Sequence, residues 1–585
     1  MQTHDVDVLV VGAGPMGATT ALALAKYGVK VRMVNRYNWT ANTPRAHITN
    51  QRAVEVLRDL GVEPDARREA TPWEWMGDTL FTTSFAGPEI ARIRTWGTGE
   101  KRIGDYLQGS PCTMLDLPQN KMEPLLVKHA ATSGAELSFN TEYISHDQDE
   151  TGVTVTLREV GTGRVYQTRA RYLVGADGAK SKVMDDAGLV VEGQLARAAT
   201  AYVLFRADLT KYVAHRPSIL YWIVTSNAAF GEIGMGLLRA IEPWKQWIAG
   251  WGFDMKNGEP DFSPEEVLRK VRILVGDPDL EIEIDSTSVW YVNQAHAPVY
   301  SKGRVFCGGD AVHRHPPSSG LGSNTCMQDA FNLAWKLAYV VKGFAGERLL
   351  DSYSLERAPV GAQIVARANQ SRLDYAPLNQ CFRDPKAADP VKSGLEKLAE
   401  PGPEGVARRS ALAAALETKN TEFNAQGVEM NQRCVSAAVV PDPNAEEEVF
   451  IKDRQLYLQA TTRPGAKLPH AWLIDAAGSR VSTLDLVGKG KFTLVTGIDG
   501  RSWVDAVKEI SVSYLDLLVV GEIGAQDIYC NWHAIREIDE AGALLVRPDG
   551  VIAWRNKSGV ADSKVAKREL AHALAAVLSN EQASQ

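Results

Sequence analysis

The run from Val6 to Val11 is apolar apart from Asp7 and stops at Gly12, the pattern of a short strand buried on both faces of a parallel sheet. From Met16 to Tyr27 the chain is rich in Ala and Leu, which predicts a helix. Gly28 ends that helix, and Val29 to Val34 supplies the next strand, completing a βαβ unit within about thirty residues. Further on, Glu136 to Asp147 and Val153 to Arg158 read as strands, and Arg171 to Gly175 as a short buried one. From about Val190 to Pro298, β-branched and aromatic segments such as Ile219–Val224 and Ser286–Val292 alternate with turns, which predicts an antiparallel sheet.

The βαβ character returns at Arg304 and is followed by a helix over Asn324–Lys342. There Met327, Phe331, Trp335 and Ala338 recur at three- and four-residue spacing, as a buried stripe does. Pro377 to Pro403 is rich in proline and charge and reads as an irregular connection, and Arg408–Lys419 as a short helix. After about Leu456 a fresh pattern begins. Strands at Phe492–Thr496 and Ala543–Val546, a helix after Trp503 and a terminal helix over Val565–Leu578 predict a separate small α/β domain. No internal repeat is apparent.

At 585 residues the chain exceeds one ordinary core. The pattern divides it into a discontinuous nucleotide-binding domain (1–189 and 299–375), an inserted sheet domain (190–298), a connecting region (376–455) and a C-terminal domain (456–585). The composition, 45% hydrophobic and 23% charged, is that of a globular protein. A net charge of −7 gives no footprint for nucleic acid or an anionic membrane. The N-terminus enters a strand almost at once, without a basic leader, and no apolar run reaches the roughly 18 residues that span a bilayer. Six scattered cysteines show no CxxC spacing, so all are expected to be reduced and structural, as in a cytoplasmic enzyme.

Three runs carry chemistry. Gly12, Gly14 and Gly17 form G-x-G-x-x-G between a strand and a helix whose next residue after Gly14 is Pro15. The first glycine permits the turn, the second lets backbone approach a pyrophosphate, and the third lets helix pack on strand. The helix N-terminus then offers free N–H groups to phosphate. The acidic ribose partner expected about 20 residues on is replaced by Asn35, with Arg36 beside it.

The second run spans Gly303 to Pro317 and continues through Gly320, Gly322 and Asn324. A strand delivers Asp310 to its carboxyl end, and a Pro/Gly loop and a helix start follow. This suits the ribityl chain and ring of FAD. His313 and His315, near Cys307 and Asp310, invite a metal reading, but the intervening Arg314 and the absence of a standard ligand spacing argue against it. The third run, Tyr172 to Gly178, ends a buried strand with Asp177 and reads as a further dinucleotide contact.

In this order, the Gly12–Gly17 turn, Gly175-Ala-Asp177-Gly178 and Gly309-Asp310 resemble the group A flavoprotein aromatic monooxygenases, which have the para-hydroxybenzoate hydroxylase fold. The stretches Asn38 to Arg52, Asp116-Leu-Pro-Gln119, Tyr212 to Pro217, Asp310 to Asn324 and Gly542 to Asp549 resemble the phenol hydroxylase branch, in particular its dichlorophenol hydroxylases. The 2-hydroxybiphenyl hydroxylases look slightly more distant.

The resemblance covers essentially the whole chain. It implies an α/β fold with a Rossmann-like FAD-binding domain, an inserted mixed or antiparallel substrate sheet and a thioredoxin-like C-terminal domain without redox cysteines. It also implies FAD as cofactor, NADPH or NADH and O2 as cosubstrates, a homodimer, and ortho-hydroxylation of a phenol to a catechol through a flavin C4a-hydroperoxide. Gly12, Gly14, Pro15 and Gly17 would bind the pyrophosphate, with Asn35 and Arg36 near the adenosine. Arg45 and Gln119 would approach the flavin, Asp177 and Asp310 the dinucleotide, and Pro317, Gly320, Gly322 and Asn324 would surround the ring. His47 and Arg239 would act on the phenol, in a pocket lined by Ile219, Trp222 and Pro316. The pocket aspartate of the 2-hydroxybiphenyl branch falls on Ile219 here, so no base is available at that position. A tailoring hydroxylase of a larger polyphenol or polyketide, and a flavin protein acting only as an NAD(P)H oxidase, remain as alternatives.

Overall fold

The computed structural model describes residues 4–579 apart from 229, 232, 444 and 445. Val6–Val11 lies at the centre of the first sheet, parallel to Val31–Val34 on one side and to Val165–Gly175 on the other. Val165–Gly175 in turn runs parallel to Val305–Cys307. Every apolar residue of Val6–Val11 is buried, and Asp7, its one polar residue, accepts from the Lys30 N–H at 3.0 Å. Val11 pairs with Gly175, and Gly175 with Cys307, so three distant strands end at one level. That register brings the turns at Gly12, Ala176–Asp177 and Gly308–Asp310 to one edge of the sheet, where open α/β sheets bind their ligands.

Two strand expectations need correction. Glu136–Asp147 is two strands, Glu136–Ser138 and Thr141–Gln148, broken at Asn140 with φ +52°. The short Arg171–Gly175 strand is the end of an eleven-residue strand, Val165–Gly175, which pairs antiparallel with Val153–Glu159.

The second sheet has eight strands and is mixed. Six come from residues after Val190, but Asp78–Thr82 and Glu89–Arg94 extend it from the first segment of the chain, and Asp78–Thr82 runs parallel to Leu220–Ile223. Alternation sorts its two faces. Leu80, Tyr221, Leu238 and Ala249 pack with Val267 and Val271 of the helix Pro264–Val275. Phe81, Leu220 and Trp222 face the other way and pack with Tyr375, Leu378 and Phe382.

Leu378 and Phe382 belong to the stretch read above as an irregular connection, which holds two helices instead, Ala376–Phe382 and Pro390–Ala399, while the helix expected over Arg408–Lys419 is present and starts earlier, as Pro403–Thr418. A proline stands in the first two positions of each helix, where its missing N–H breaks no intrahelical bond and its fixed φ favours the first turn. The prolines therefore mark starts, and Leu378, Phe382, Leu412 and Ala415 cover the sheet face.

In the C-terminal domain Phe492–Gly497 pairs parallel with Leu515–Val520 and antiparallel with Ala543–Val546, which pairs antiparallel with Ile552–Asn556. Helices Arg501–Ile510 and Ser563–Val577 complete this thioredoxin-like arrangement. The domain shares a core with the long helix Gly322–Val341, where Trp335 meets Phe492 edge-on at 5.7 Å. At the same contact lies a sealed charge cluster. Glu356 accepts from Lys336 Nζ at 2.8 Å and from both terminal nitrogens of Arg547 at 2.7 and 3.0 Å, and Arg547 also reaches Asp549. Burial alone pushes the Glu356 carboxyl up, but the charges of Arg547 and Lys336 outweigh it and hold the carboxyl well below the usual range.

All six cysteines are free thiols; Cys434 is half-buried and Cys530 is exposed, so not every one is a core residue. Among the described residues no helix is long and apolar enough to cross a membrane.

Candidate functional site

At the aligned strand ends, the glycines divide by what surrounds them. A Cβ on Gly12 would sit 2.2 Å from the Ala176 carbonyl oxygen, and one on Gly17 would sit 1.9 Å from the Gly12 oxygen. Both are demanded by the protein's own packing. On Gly14 the nearest atom would be Glu123 Oε1 at 3.8 Å, so this glycine borders open space. The helix Pro15–Lys26 begins there with no side-chain cap, leaving first-turn N–H groups for an anion.

Asp310 stands exposed at the end of Val305–Cys307, and among the described residues its carboxylate accepts a hydrogen bond only from the Cys326 thiol, at 3.9 Å. Beyond it, Ser319 and Gly320 both have positive φ, +67° and +61°. For serine this conformation is strained, of the kind that clusters at ligand clamps. An uncapped helix end, an open glycine, an uncommitted carboxylate and a strained Pro/Gly loop on one sheet edge fit FAD's pyrophosphate, ribityl chain and ring.

Other expected cofactor residues have work within the protein. Asp177 accepts from the Ser181 hydroxyl at 2.5 Å and the Lys182 N–H at 2.8 Å, so its carboxylate holds its own turn against the Gly12 loop. Asn324 Nδ2 donates to the Ile48 and Gly320 carbonyls at 2.8 and 2.5 Å, while its Oδ1 accepts from the Asn50 N–H at 2.9 Å. It thereby ties the Pro317–Gly322 loop to the segment after His47. Gln119 accepts from the Ala46 N–H at 3.3 Å and donates to Glu123 at 2.6 Å, bracing the same segment from the other side. Asn35 donates to the Trp39 carbonyl at 3.0 Å, and Arg36 is exposed with its guanidinium over the Tyr37 ring. Arg45 is exposed on the loop that leads to His47.

His313 is fully buried, with Nε2 2.9 Å from Asp329, which also accepts from Arg357 at 2.7 Å. It belongs to a buried ion-pair network. His315 Nδ1 lies 2.7 Å from the Pro316 carbonyl, and burial together with its neighbour His313 pulls its pKa down to about 4.

The second part of the site adjoins the covered face of the mixed sheet. Arg239, on Gly236–Glu242, pairs across from Leu220 and so shares that face with Trp222. Ile219 and Pro316 are buried, and Trp222 lies 4.8 Å from the Tyr375 ring. Arg239 Nη2 donates to Asp116 Oδ1 at 2.5 Å, and both side chains are buried. Burial, and then the Arg239 charge, hold the His47 imidazole well below its usual range, so it is neutral near neutral pH.

Among the described residues, several buried polar atoms in this region lack a hydrogen bond: His47 Nδ1, Arg239 Nε and Asp116 Oδ2. Buried polar groups are nearly always paired, so such a group of exceptions marks a place for a polar ligand. Asp116 and Tyr375 escape a residue-by-residue reading of the sequence. Asp116 stands 123 positions from Arg239, and Tyr375 borders the segment read as irregular.

The family description "FAD binding domain" matches residues 5–368, and "Aromatic-ring hydroxylase, C-terminal" matches residues 461–580. The chain is 49% identical to 2,4-dichlorophenol 6-monooxygenase of Cupriavidus pinatubonensis, over 96% of this chain and 95% of that one. It is 44% identical to phenol 2-monooxygenase of a Pseudomonas species, over 96% and 91%. The crystal structure of the flavin-dependent monooxygenase PieE in complex with FAD and substrate superposes with TM-score 0.92 at 42% identity, covering 99% of this chain and 100% of that one.

Proposed function

The chain belongs to the FAD-binding aromatic-ring hydroxylases, and from that premise we propose that it hydroxylates a phenol, chlorinated or otherwise substituted, at the ortho position to give a catechol. Bound FAD, with NAD(P)H and O2 as cosubstrates, supplies the reducing and oxygen-activating chemistry. The observation that carries the substrate reading is the pair of unpartnered buried nitrogens, Arg239 Nε and His47 Nδ1, near an aromatic wall of Trp222 and Tyr375.

A phenolic oxygen at that point accepts from Arg239 and donates to neutral His47. The guanidinium favours negative charge on the oxygen, and the imidazole takes up its proton, which raises electron density on the ring carbons ortho to it. The helices Ala376–Phe382 and Pro403–Thr418 cover the sheet face with Phe382 and Leu412 and keep water from the reacting ring.

Gly14 and the helix start beside it are assigned to the pyrophosphate, Gly12 and Gly17 to the packing that shapes that turn, and Asp310 to the ribityl chain. Asp177, Gln119 and Asn324 are assigned to holding the loops in place. Aerobic NADH and NADPH oxidation over a panel of simple phenols and larger polyphenols, with mass spectrometry of products, tests the reading. A chlorophenol or alkylphenol gaining one oxygen atom supports it. Gain only on larger polyphenols favours a tailoring hydroxylase, and NAD(P)H consumption without a hydroxylated product leaves an oxidase. His47→Ala is expected to lower hydroxylation by about 10²- to 10⁴-fold, the range for loss of a positioned acid–base group, at unchanged FAD content. Equal loss of FAD would assign His47 a structural role. The assembly proposed alongside is a homodimer, on resemblance alone; a monomer mass by light scattering overturns it.

A further inference from the structure

One of the unpartnered atoms belongs to a residue that the reaction scheme above does not use. Asp116 is 0% exposed on Leu115–Asp116, the strand paired with Ile48–Thr49, and the Leu117 N–H donates to the His47 carbonyl at 2.7 Å. The carboxylate is therefore fixed by the same backbone that carries His47. Its Oδ1 takes one guanidinium N–H of Arg239, while its Oδ2 and Arg239 Nε stay unpaired. Two opposite charges in contact in a buried setting present a dipole to a third group, much weaker than the field of the bare cation.

We propose that Asp116 is a positioning residue, holding the Arg239 guanidinium against the His47 segment and offsetting its charge, so that a bound phenol stays protonated until His47 accepts the proton. This rests on the phenol reading above. Without Asp116, Arg239 would trap the substrate as a free phenolate and leave His47 nothing to accept. The charged and titratable groups facing Asp116 fit this role. Arg239 approaches from the mixed sheet, and Lys121 from the helix Gln119–Thr132, itself 3.6 Å from Glu242; the Thr71 side chain lies against the Asp116 carboxylate, and the Thr71 N–H donates to the Asp116 carbonyl at 2.9 Å. Burial pushes the Asp116 carboxyl up and the Arg239 guanidinium down, so each depends on the other to stay charged.

The test uses 4-nitrophenol, whose phenolate absorbs visible light, titrated into the oxidised holoenzyme across pH. In Asp116→Asn the pKa of the bound nitrophenol is expected to fall by about one unit or more, the scale of an uncompensated neighbouring charge. Arg239→Met is expected to raise it. Adding Asp116→Asn to Arg239→Met should change it by less than about 0.5 units, because Asp116 acts through Arg239. An unshifted bound pKa in Asp116→Asn, or a full shift in the Arg239→Met background, overturns the proposal. Should Asp116→Asn alone fail to hold FAD, comparing the double variant with Arg239→Met decides it, since neither leaves a lone guanidinium. A wild-type enzyme that binds and hydroxylates no phenol fails at the earlier step and overturns the phenol reading, and this proposal with it.

Discussion

Replacing Arg547 by methionine is expected to lower the stability of the folded protein by about 3–5 kcal/mol, the cost of breaking a buried ion pair from one side. Glu356, Lys336 and Arg547 have fully buried side chains and Asp549 is 3% exposed, so the lost guanidinium leaves a carboxylate short of a countercharge in a buried setting. Glu356 would keep Lys336, but Asp549 would keep only neutral donors, the Asn332 amide at 3.2 Å and the Val551 N–H at 3.5 Å. Removing Asp549 as well, in Arg547→Met/Asp549→Leu, should recover much of the loss, because the Lys336–Glu356 pair then stands alone and complete. Denaturant midpoints for the two variants decide the matter; a single variant within about 0.5 kcal/mol of wild type would refute it.

The same cluster sets a pH dependence. The Glu356 carboxyl is held well below its unfolded value, so its contribution is complete above the unfolded pKa and disappears as pH falls through the folded one. Acid should therefore loosen the contact between the C-terminal domain and the two long helices, Gly322–Val341 and Asp351–Leu373.

The second large effect separates two glycines of one motif. Gly14→Val should leave the apoprotein as stable as wild type, because the side chain enters open space, yet weaken FAD by at least about tenfold, or 1.4 kcal/mol, because that space is where a pyrophosphate lies. Gly17→Ala should do the reverse and damage the fold itself, since its Cβ would lie 1.9 Å from the Gly12 oxygen. Flavin fluorescence titration of each apoprotein, paired with its melting curve, reads both. Parallel behaviour of the two variants would mean that the open space beside Gly14 is not the pyrophosphate site.

The cofactor edge was legible in the sequence because each of its pieces is local. A buried strand ending in glycine or aspartate announces itself in about ten residues, and parallel pairing then aligns the ends. Asp310 illustrates this: a strand, a carboxylate and a loop, in order, with nothing else competing for the oxygens. Asp177 looked the same in sequence, but the hydroxyl of Ser181 and the N–H of Lys182 occupy its carboxylate, and no spacing rule distinguishes the two cases. The substrate side was harder to read. The Arg239–Asp116 pair joins residues 123 apart on different sheets, and it is created by packing alone. Pro377, Pro390 and Pro403 looked like breaks because a proline that opens a helix and one that interrupts a chain have the same letter. Family resemblance supplied His47, Arg239 and the phenol; the residues alone did not.

The strand Asp78–Thr82, running parallel beside Leu220–Ile223, limits how this enzyme can be re-engineered. A chimera that swaps residues 190–298 for those of another hydroxylase would import five of the sheet's eight strands, leaving behind His313–Arg314 at one edge and Asp78–Thr82 with Glu89–Arg94 at the other. The new Leu220–Ile223 would meet a seam evolved for Thr79 and Phe81, and any mismatch there would open an edge against which other chains can pair. Exchanging substrate range by cassette therefore requires residues 78–94 to travel with the insert, although Arg94 and Leu220 lie 126 positions apart in the chain.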